Sequence, residues 1–197
     1  MKVVQSRLLP FLYLLLSLLP LSCRSVDEAN CALIAALQAV DEDAVKRELQ
    51  NGASPNARQY GNETALGTLI RQYKHSHQDR RERIEKLLFH LLDQGADPNE
   101  KHHGFTPLQL AVGQRSEEMV SRLIAFGANP NQETQAGYAP IWQAVFDNNY
   151  KIGLILLRAG ANPNARGPKR QTPLQYLRAK GFQKTRLMLH LRFYGGI

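Results

Sequence analysis

Two pairs of histidines are the residues whose type and spacing could hold a metal ion. His75 and His77 lie two residues apart, and His102 and His103 are adjacent. Imidazole nitrogens are common ligands of zinc, but a protein site needs three or four ligands. Neither pair has a cysteine or carboxylate at a supporting spacing, so one site would require the two pairs to converge. Whether they converge depends on the elements between them.

Catalytic chemistry finds little support in the sequence. The two cysteines, Cys23 and Cys31, are too few for a disulfide framework, and neither has a nearby histidine. A bridge between them remains open in an oxidising compartment if Cys23 keeps its free thiol. The chain lacks a Ser–His–Asp arrangement, a phosphate-binding glycine loop and an HExxH motif. The sequence therefore predicts neither an enzyme nor a cofactor.

The segment 106–131 shows how the chain is built. Thr106 can cap a helix, and the proline after it suits the first helical position. Apolar residues at helical spacing follow, are interrupted at 113–116, and then resume. Gly127 suits a helix end with a left-handed residue, and Pro130 follows where a helix cannot continue. The segment is predicted to be one helix–turn–helix unit.

This unit recurs, with the same opening and the same ending. The glycines of the GAxPN endings are 43, 32 and 33 residues apart, at Gly52, Gly95, Gly127 and Gly160. The openings are spaced by 42, 33 and 33 residues, at Thr64, Thr106, Ala139 and Thr172. A period of 33 residues with a TPL-type opening and a GAxxN ending resembles the ankyrin repeat. The resemblance implies an all-α solenoid of about five helix–turn–helix repeats with β-hairpin or loop fingers.

We assign this repeat domain to residues 27–194. The repeats are 27–57, 62–99, 104–131, 137–164 and 170–194. The second contains an insertion at 73–82 whose charges of both signs predict longer helices, or a helical extension projecting into water. It is either a tolerated surface insertion or a contact for a partner. Cys31 replaces the threonine of the first repeat and is expected to be buried at a helix entrance, and Trp142 replaces the usual histidine and is expected to be structural.

The resemblance also implies which residues contact a partner, because loop tips and first helices line the concave surface in ankyrin proteins. The implied contact residues are Arg58, Tyr60, Lys101, His102, His103, Phe105, Gln135, Tyr138, Arg166, Lys169 and Arg170. Tyr60, Phe105 and Tyr138 could form an aromatic stripe, or could brace the hairpins. Antiparallel helices would place the two histidine pairs ~15 Å apart, so no metal site is predicted.

The first 22 residues are predicted to be a signal peptide. Two cations precede a stretch of 14 uncharged residues, 8–21, which is short for a membrane span of ~20 residues. The stretch ends like a bacterial lipoprotein signal, which would make Cys23 a lipidation site and a membrane tether. Ordinary cleavage after Ser25 and an uncleaved anchor remain open. We expect export to the periplasm or a membrane anchor in a bacterium, with secretion as the alternative.

Charge is concentrated near the C-terminal end. The net charge is +8, and ten lysines and arginines follow Asp147 without any acidic residue. The positive electrostatic field of these residues attracts an acidic partner or an anionic surface. Nothing in the sequence resembles a nucleic-acid-binding module. The leading hypothesis is an exported, non-catalytic module that binds another protein. The alternative is a structural protein whose basic C-terminal end contacts anionic envelope material.

Overall fold

The computed structural model describes residues 26–59, 63–182 and 185–197. Within these ranges the chain forms ten α-helices in five consecutive pairs. The pairs are α1 Val26–Ala39 with α2 Glu42–Gln50, α3 Ala65–Arg71 with α4 Gln78–Asp93, α5 Pro107–Gln114 with α6 Glu117–Ala125, α7 Pro140–Phe146 with α8 Tyr150–Arg158, and α9 Pro173–Ala179 with α10 Arg186–Phe193. The predicted all-α solenoid of helix–turn–helix repeats is confirmed.

The remaining regular structure is short and lies in the connections. Strand β1, Arg58–Gln59, pairs antiparallel with β2, Glu63–Thr64. Two 3₁₀ turns cover Tyr73–His75 and Pro168–Arg170. We call the connection between one pair of helices and the next a finger: finger 1 leads to α3, finger 2 to α5, finger 3 to α7 and finger 4 to α9.

The helix starts follow the predicted capping chemistry. The hydroxyl of Thr106 accepts a hydrogen bond from the Gln109 backbone N–H, and the Gln109 Oε1 accepts the Thr106 N–H at 2.8 Å. Thr172 and Gln175 form the same reciprocal pair at α9. Each pair satisfies two N–H groups that a helix start leaves without partners, and replacing such a cap with alanine costs ~1 kcal/mol.

The helices form two layers around one core. The first helices of successive pairs pack side by side, and so do the second helices. Their apolar faces meet in a continuous cluster that runs through all five repeats and includes the fully buried Leu108, Ile141 and Leu156. Because each repeat buries its apolar face only against its neighbours, the stack is stabilised as an array.

An asparagine ladder joins the repeats along the line of the GAxPN endings. The Nδ2 of each ending's asparagine donates to the glycine carbonyl one repeat later, at 2.9–3.1 Å. Its Oδ1 accepts a backbone N–H of the same later loop at 2.6–2.8 Å. The ladder asparagines are Asn56, Asn99, Asn131 and Asn164. In the fifth repeat, which lacks the GAxPN motif, Gly195 with φ +87° supplies the last carbonyl.

The insertion at 73–82 contains the start of a longer helix, as predicted, since α4 has 16 residues where α6 and α8 have 9, and its side chains also bond to neighbouring repeats. The Arg80 guanidinium donates to a carbonyl near the end of α1 at 3.1 Å. The Tyr73 hydroxyl donates to Glu85 Oε1 at 2.9 Å, and the hydroxyl of Ser116, which caps α6, donates to the same oxygen at 3.2 Å. The extra residues therefore brace the second repeat against the first and the third.

The first repeat confirms its predicted core and corrects the expectation for Cys31. Leu33 and Leu37 are fully buried. Cys31 is exposed in the middle of α1, because the helix begins at Val26 and places this residue away from the core. Cys23, with which a bridge remains open, lies outside the described residues, as does the predicted signal peptide.

Candidate functional site

A mainly apolar pocket of about 330 Å³ opens between fingers 2 and 3 and the start of α7. We call it the inter-finger pocket. Two of its aromatic side chains are well exposed to solvent, Phe105 at 48% and Phe146 at 42%. Its lining comprises His103, Gly104, Phe105, Gln109, Thr134, Gln135, Ala136, Tyr138, Ala139, Pro140, Gln143 and Phe146.

Finger 2 forms one wall through a tight hairpin turn. The backbone N–H of His102 donates to the Phe105 carbonyl at 2.8 Å, and the Phe105 N–H donates back at 3.1 Å. The two residues between them, His103 and Gly104, have φ of +49° and +85°. Positive φ at both central positions matches the turns that suit the twist of a hairpin. The turn thereby fixes Phe105 at the edge of the pocket.

Finger 3 forms the opposite wall and is held by the preceding repeat. Thr134 and Tyr138 close the finger through a backbone bond of 3.0 Å. The Gln109 side chain, projecting from α5, donates to the carbonyls of Gln132 and Tyr138 at 2.8 and 3.1 Å. Since Gln109 also completes the α5 cap, one buried side chain couples the helix start to both ends of the finger. The pocket is therefore built into the scaffold and does not depend on a partner to form.

Four aromatic rings form one cluster at the pocket, and two of them, Tyr138 and Phe146, line it. Tyr138, Trp142, Phe146 and Tyr176 form a cluster whose ring centroids lie 5.4–6.4 Å apart. The Trp142 side chain is fully buried, and its Nε1 donates to the Ala165 carbonyl at 3.2 Å. The structural role expected for Trp142 is confirmed. Edge-to-face contacts of this kind contribute roughly 0.5–1.5 kcal/mol each beyond the burial of area.

The structure corrects the expectation for His102, which is 1% exposed and is not presented to a partner. Its Nδ1 accepts the Thr64 N–H at 2.9 Å. This bond replaces the one that a glutamine makes at the starts of α5 and α9, because the equivalent residue in α3 is Gly67. A Cβ on Gly67 would lie 2.1 Å from His102 Cγ, so the imidazole occupies the space that a side chain would fill.

Burial also sets the charge of His102. Desolvation, followed by the nearby His103 and Arg71, lowers the pKa of His102 from 6.5 to about 4. The imidazole is therefore neutral at neutral pH. Because Nδ1 accepts a hydrogen bond, the proton of the neutral ring is on Nε2.

The predicted contact residues divide into two groups. His103, Phe105, Gln135 and Tyr138 are brought together in the lining of the inter-finger pocket. The cations do not line it. Arg58 forms an ion pair with Glu100 between fingers 1 and 2, and the Lys101 ammonium donates to the Glu133 carbonyl at 3.0 Å.

Three further cations lie in finger 4, away from the pocket. Arg166 donates to the Arg170 carbonyl at 2.8 Å, and Arg166, Lys169 and Arg170 are all exposed. Tyr60, the first member of the predicted aromatic stripe, lies outside the described residues. Phe105 and Tyr138, the other two members, line the same pocket.

Sequence reasoning missed Phe146 and Gln143. Phe146 lies four residues after Trp142 on α7, so helical spacing from an already singled-out aromatic could have identified it. Gln143 forms the polar end of the pocket and donates to Asp147 at 3.1 Å. Burial opposes ionisation of Asp147, but hydrogen bonds from Arg115 and Gln143 lower its pKa overall.

The arrangement suits binding and offers no evident chemistry. None of the lining residues of the inter-finger pocket is a carboxylate or a thiol. In the described ranges, no three histidine, cysteine or acidic side chains are placed to hold a metal ion together. None of the helices described is long and apolar enough to cross a membrane.

Comparison with known proteins agrees with this architecture. The family described as "Ankyrin repeats (3 copies)" matches residues 77–167. An ankyrin repeat protein of Borreliella burgdorferi is 33% identical over 91 residues, which are 46% of this chain and 41% of the relative. Ankyrin repeat and SOCS box protein 16 of Homo sapiens is 31% identical over 96 residues, 48% of this chain and 21% of that protein.

The repeat geometry and these similarities together define the class of protein. The described residues form an all-α ankyrin-repeat solenoid, and residues 77–167 match the ankyrin-repeat family. The chain matches less than half the length of either relative. Ankyrin repeats are generally non-enzymatic modules for protein–protein interaction.

Proposed function

We propose that this protein is a non-catalytic binding module that holds another protein against its finger side, with an apolar side chain of the partner in the inter-finger pocket. The observation that supports the proposal is the exposure of Phe105 and Phe146 across a preformed apolar pocket. Large exposed apolar side chains that border one concave site are typical of a binding site for a partner.

The energetics favour an aromatic or large aliphatic anchor. Complete burial of such a side chain contributes ~1.5–3 kcal/mol, and the exposed parts of Phe105 and Phe146 would lose water at the same time. Both fingers are already held by backbone bonds and by Gln109. Binding therefore requires little ordering of the scaffold, which is one of the main costs of association. The glutamines at the edge can satisfy polar backbone groups of the partner.

The proposal also includes export of the protein and its attachment to a membrane through a lipid. The apolar N-terminal stretch supports export, and Cys23 supports a lipid tether in a bacterium; free secretion is the alternative. Metabolic labelling with a fatty acid tests the tether. Incorporation into the wild-type chain and its loss in Cys23→Ser are expected, whereas an unlabelled, soluble exported chain would contradict the tether and favour secretion.

Affinity capture followed by a binding measurement tests the pocket. Proteins captured from a solubilised envelope extract by the wild-type chain are compared with those captured by Phe105→Ser/Phe146→Ser. Phe126→Ser, which removes an exposed phenylalanine on the third repeat, serves as the control. Circular dichroism verifies that all three chains are folded.

The purified partner is then titrated calorimetrically against each chain. Hot-spot side chains contribute 2 kcal/mol or more, so the pocket variant should bind at least about tenfold more weakly, while the control retains wild-type affinity. Equal affinity of the partner for the pocket variant and the wild type would refute the role of the pocket.

A further inference from the structure

The outward face of α10 combines exposed apolar residues with arginines. Leu189 and Phe193 are four residues apart and are 61% and 82% exposed. On a helix, residues at this spacing lie on the same face. The opposite face carries the buried Leu187 and Leu191. The helix is therefore apolar on both sides, although only one side contacts the core.

Arginines border this outward stripe on both sides. At 100° per residue, Arg186 and Arg192 fall on either flank of Leu189 and Phe193. The Arg186 guanidinium lies over the Tyr150 ring, 5.2 Å from its centroid, and donates to the Tyr150 hydroxyl at 3.2 Å. Arg192 is exposed. The helix thus presents an apolar ridge between two cations.

The residues that precede α10 in the sequence include further apolar and basic side chains. Phe182, which precedes α10 in the sequence, is 39% exposed, and the exposed Arg178 and Lys180 lie shortly before it. No acidic residue occurs anywhere between 148 and 197 to offset these charges. By contrast, the equivalent outward face of α6 is polar and carries Glu117 and Glu118. The third repeat therefore lacks this combination.

We propose that this outward face of α10, with Phe182, is a membrane-binding surface for anionic lipid. Phe193 and Leu189 would enter the interface between headgroups and acyl chains, and the flanking arginines would contact lipid phosphates. A helix with apolar and cationic residues on its exposed face is typical of interfacial binding. Guanidinium groups suit phosphate because they can donate two hydrogen bonds in parallel.

The charges and the shape favour lipid over a protein partner. A second copy of the chain that docked through the same surface would present the same cations and be repelled. The residues form a protruding ridge, with Phe193 mostly in solvent, and a fluid headgroup layer can receive such a ridge without a complementary groove. The surface is separate from the inter-finger pocket, so either proposal can fail while the other holds.

A fluorescent probe at the ridge gives a local test. Phe193→Trp places an exposed indole there, and the natural Trp142 is fully buried and contributes a constant background. The full-length chain is mixed with phosphatidylcholine vesicles with or without phosphatidylglycerol. We expect a blue shift, and quenching by brominated acyl chains, only with the anionic vesicles. Phe126→Trp, on the third repeat, is the matched probe and should not respond.

Vesicle sedimentation measures the contribution of each group. The N-terminal apolar stretch is common to all variants, so differences between them report on the ridge. Leu189→Ser/Phe193→Ser should weaken binding to anionic vesicles about tenfold or more. Arg178→Glu/Arg192→Glu should weaken it by more than about 25-fold, since each cation near an anionic surface contributes about fivefold. Raised salt should weaken binding of the wild type in the same direction.

The controls carry equal changes at other places. Arg83→Glu/Lys86→Glu on α4 makes the same change of net charge, and Phe105→Ser/Phe146→Ser also removes two exposed large apolar side chains. Both should sediment as the wild type does. An unresponsive Trp at position 193 on anionic vesicles, or equal weakening by the α4 charge variant, would overturn the proposal.

Discussion

The buried His102 makes the stability of the protein depend on pH in a predictable direction. Its pKa is about 4 in the folded chain and 6.5 ordinarily. Between these values the unfolded chain binds a proton at this residue and the folded chain does not. Lowering the pH through this window therefore favours unfolding. The full difference of 2.5 pKa units corresponds to about 3 kcal/mol, present above pH 6.5 and lost below about pH 4.

That magnitude is large against the ~5–15 kcal/mol that separates folded from unfolded domains. At about pH 4.5 the same linkage predicts a loss of about 2.5 kcal/mol relative to neutral pH. The physical cause is specific: protonation at Nδ1 would remove the acceptor for the Thr64 N–H and place a charge in a buried space.

Urea unfolding at about pH 7 and about pH 4.5 measures this loss. The acidic residues also titrate in this range, so the comparison is with His102→Gln, which keeps a hydrogen-bond acceptor but cannot gain the proton. The wild type should lose about 2.5 kcal/mol more than His102→Gln between the two pH values. His75→Gln, which removes an exposed histidine, should follow the wild type.

Two results would refute the reasoning. The first is an identical pH dependence for the wild type and His102→Gln, which would mean that the buried ring is not proton-linked. The second concerns Arg71, whose positive charge helps to lower the pKa of His102. Arg71→Gln should raise that pKa and reduce the loss of stability at low pH, and a larger loss would contradict the assignment of causes.

Three further predictions concern packing, the ladder and the insertion. A Cβ on Gly167 would lie 2.0 Å from the Trp142 ring, so Gly167→Ala should lower the free energy of unfolding in urea by about 1–3 kcal/mol and shift Trp142 emission. Gly113→Ala, where the space is open, should instead stabilise the protein by ~0.5–1 kcal/mol. Equal effects of the two substitutions would contradict the overlap with Trp142. Asn131→Ala removes a donor at 2.9 Å and an acceptor at 2.7 Å that link two repeats, and should lower the free energy of unfolding in urea by about 1–3 kcal/mol. A decrease below ~0.5 kcal/mol would mean that the asparagine ladder contributes little to stability. Arg80→Gln should speed amide hydrogen exchange in α1, because the guanidinium holds the carbonyl end of that helix, and unchanged exchange would count against a bracing role for the insertion.

Local chemistry explains why so much of the fold could be predicted. Threonine, proline and glycine act within a few residues of their own positions, so the starts of α5 and α9 follow directly from Thr106 and Thr172, and the end of α6 follows from Gly127. The apolar residues between them recur at helical spacing. Repetition then supplies the tertiary arrangement, since each repeat has no other place to bury its apolar face than against the next.

The insertion shows where such reasoning stops. Charges of both signs at 73–82 are compatible with an extension in water and with a brace between repeats. The choice depends on partners distant in sequence, namely the carbonyl end of α1 and the cap of α6. No local pattern encodes these contacts.

The sequence by itself determined the repeat, its period, the capped starts of α5 and α9 and the concentration of positive charge after Asp147. It also indicated Phe105 and Tyr138 as neighbours on successive fingers. Only the tertiary structure decided that Phe146 completes their pocket, that His102 is buried over Gly67, and that Leu189 and Phe193 face solvent. The reason is that a helical pattern states which residues share a face, whereas packing against other segments decides which faces are covered.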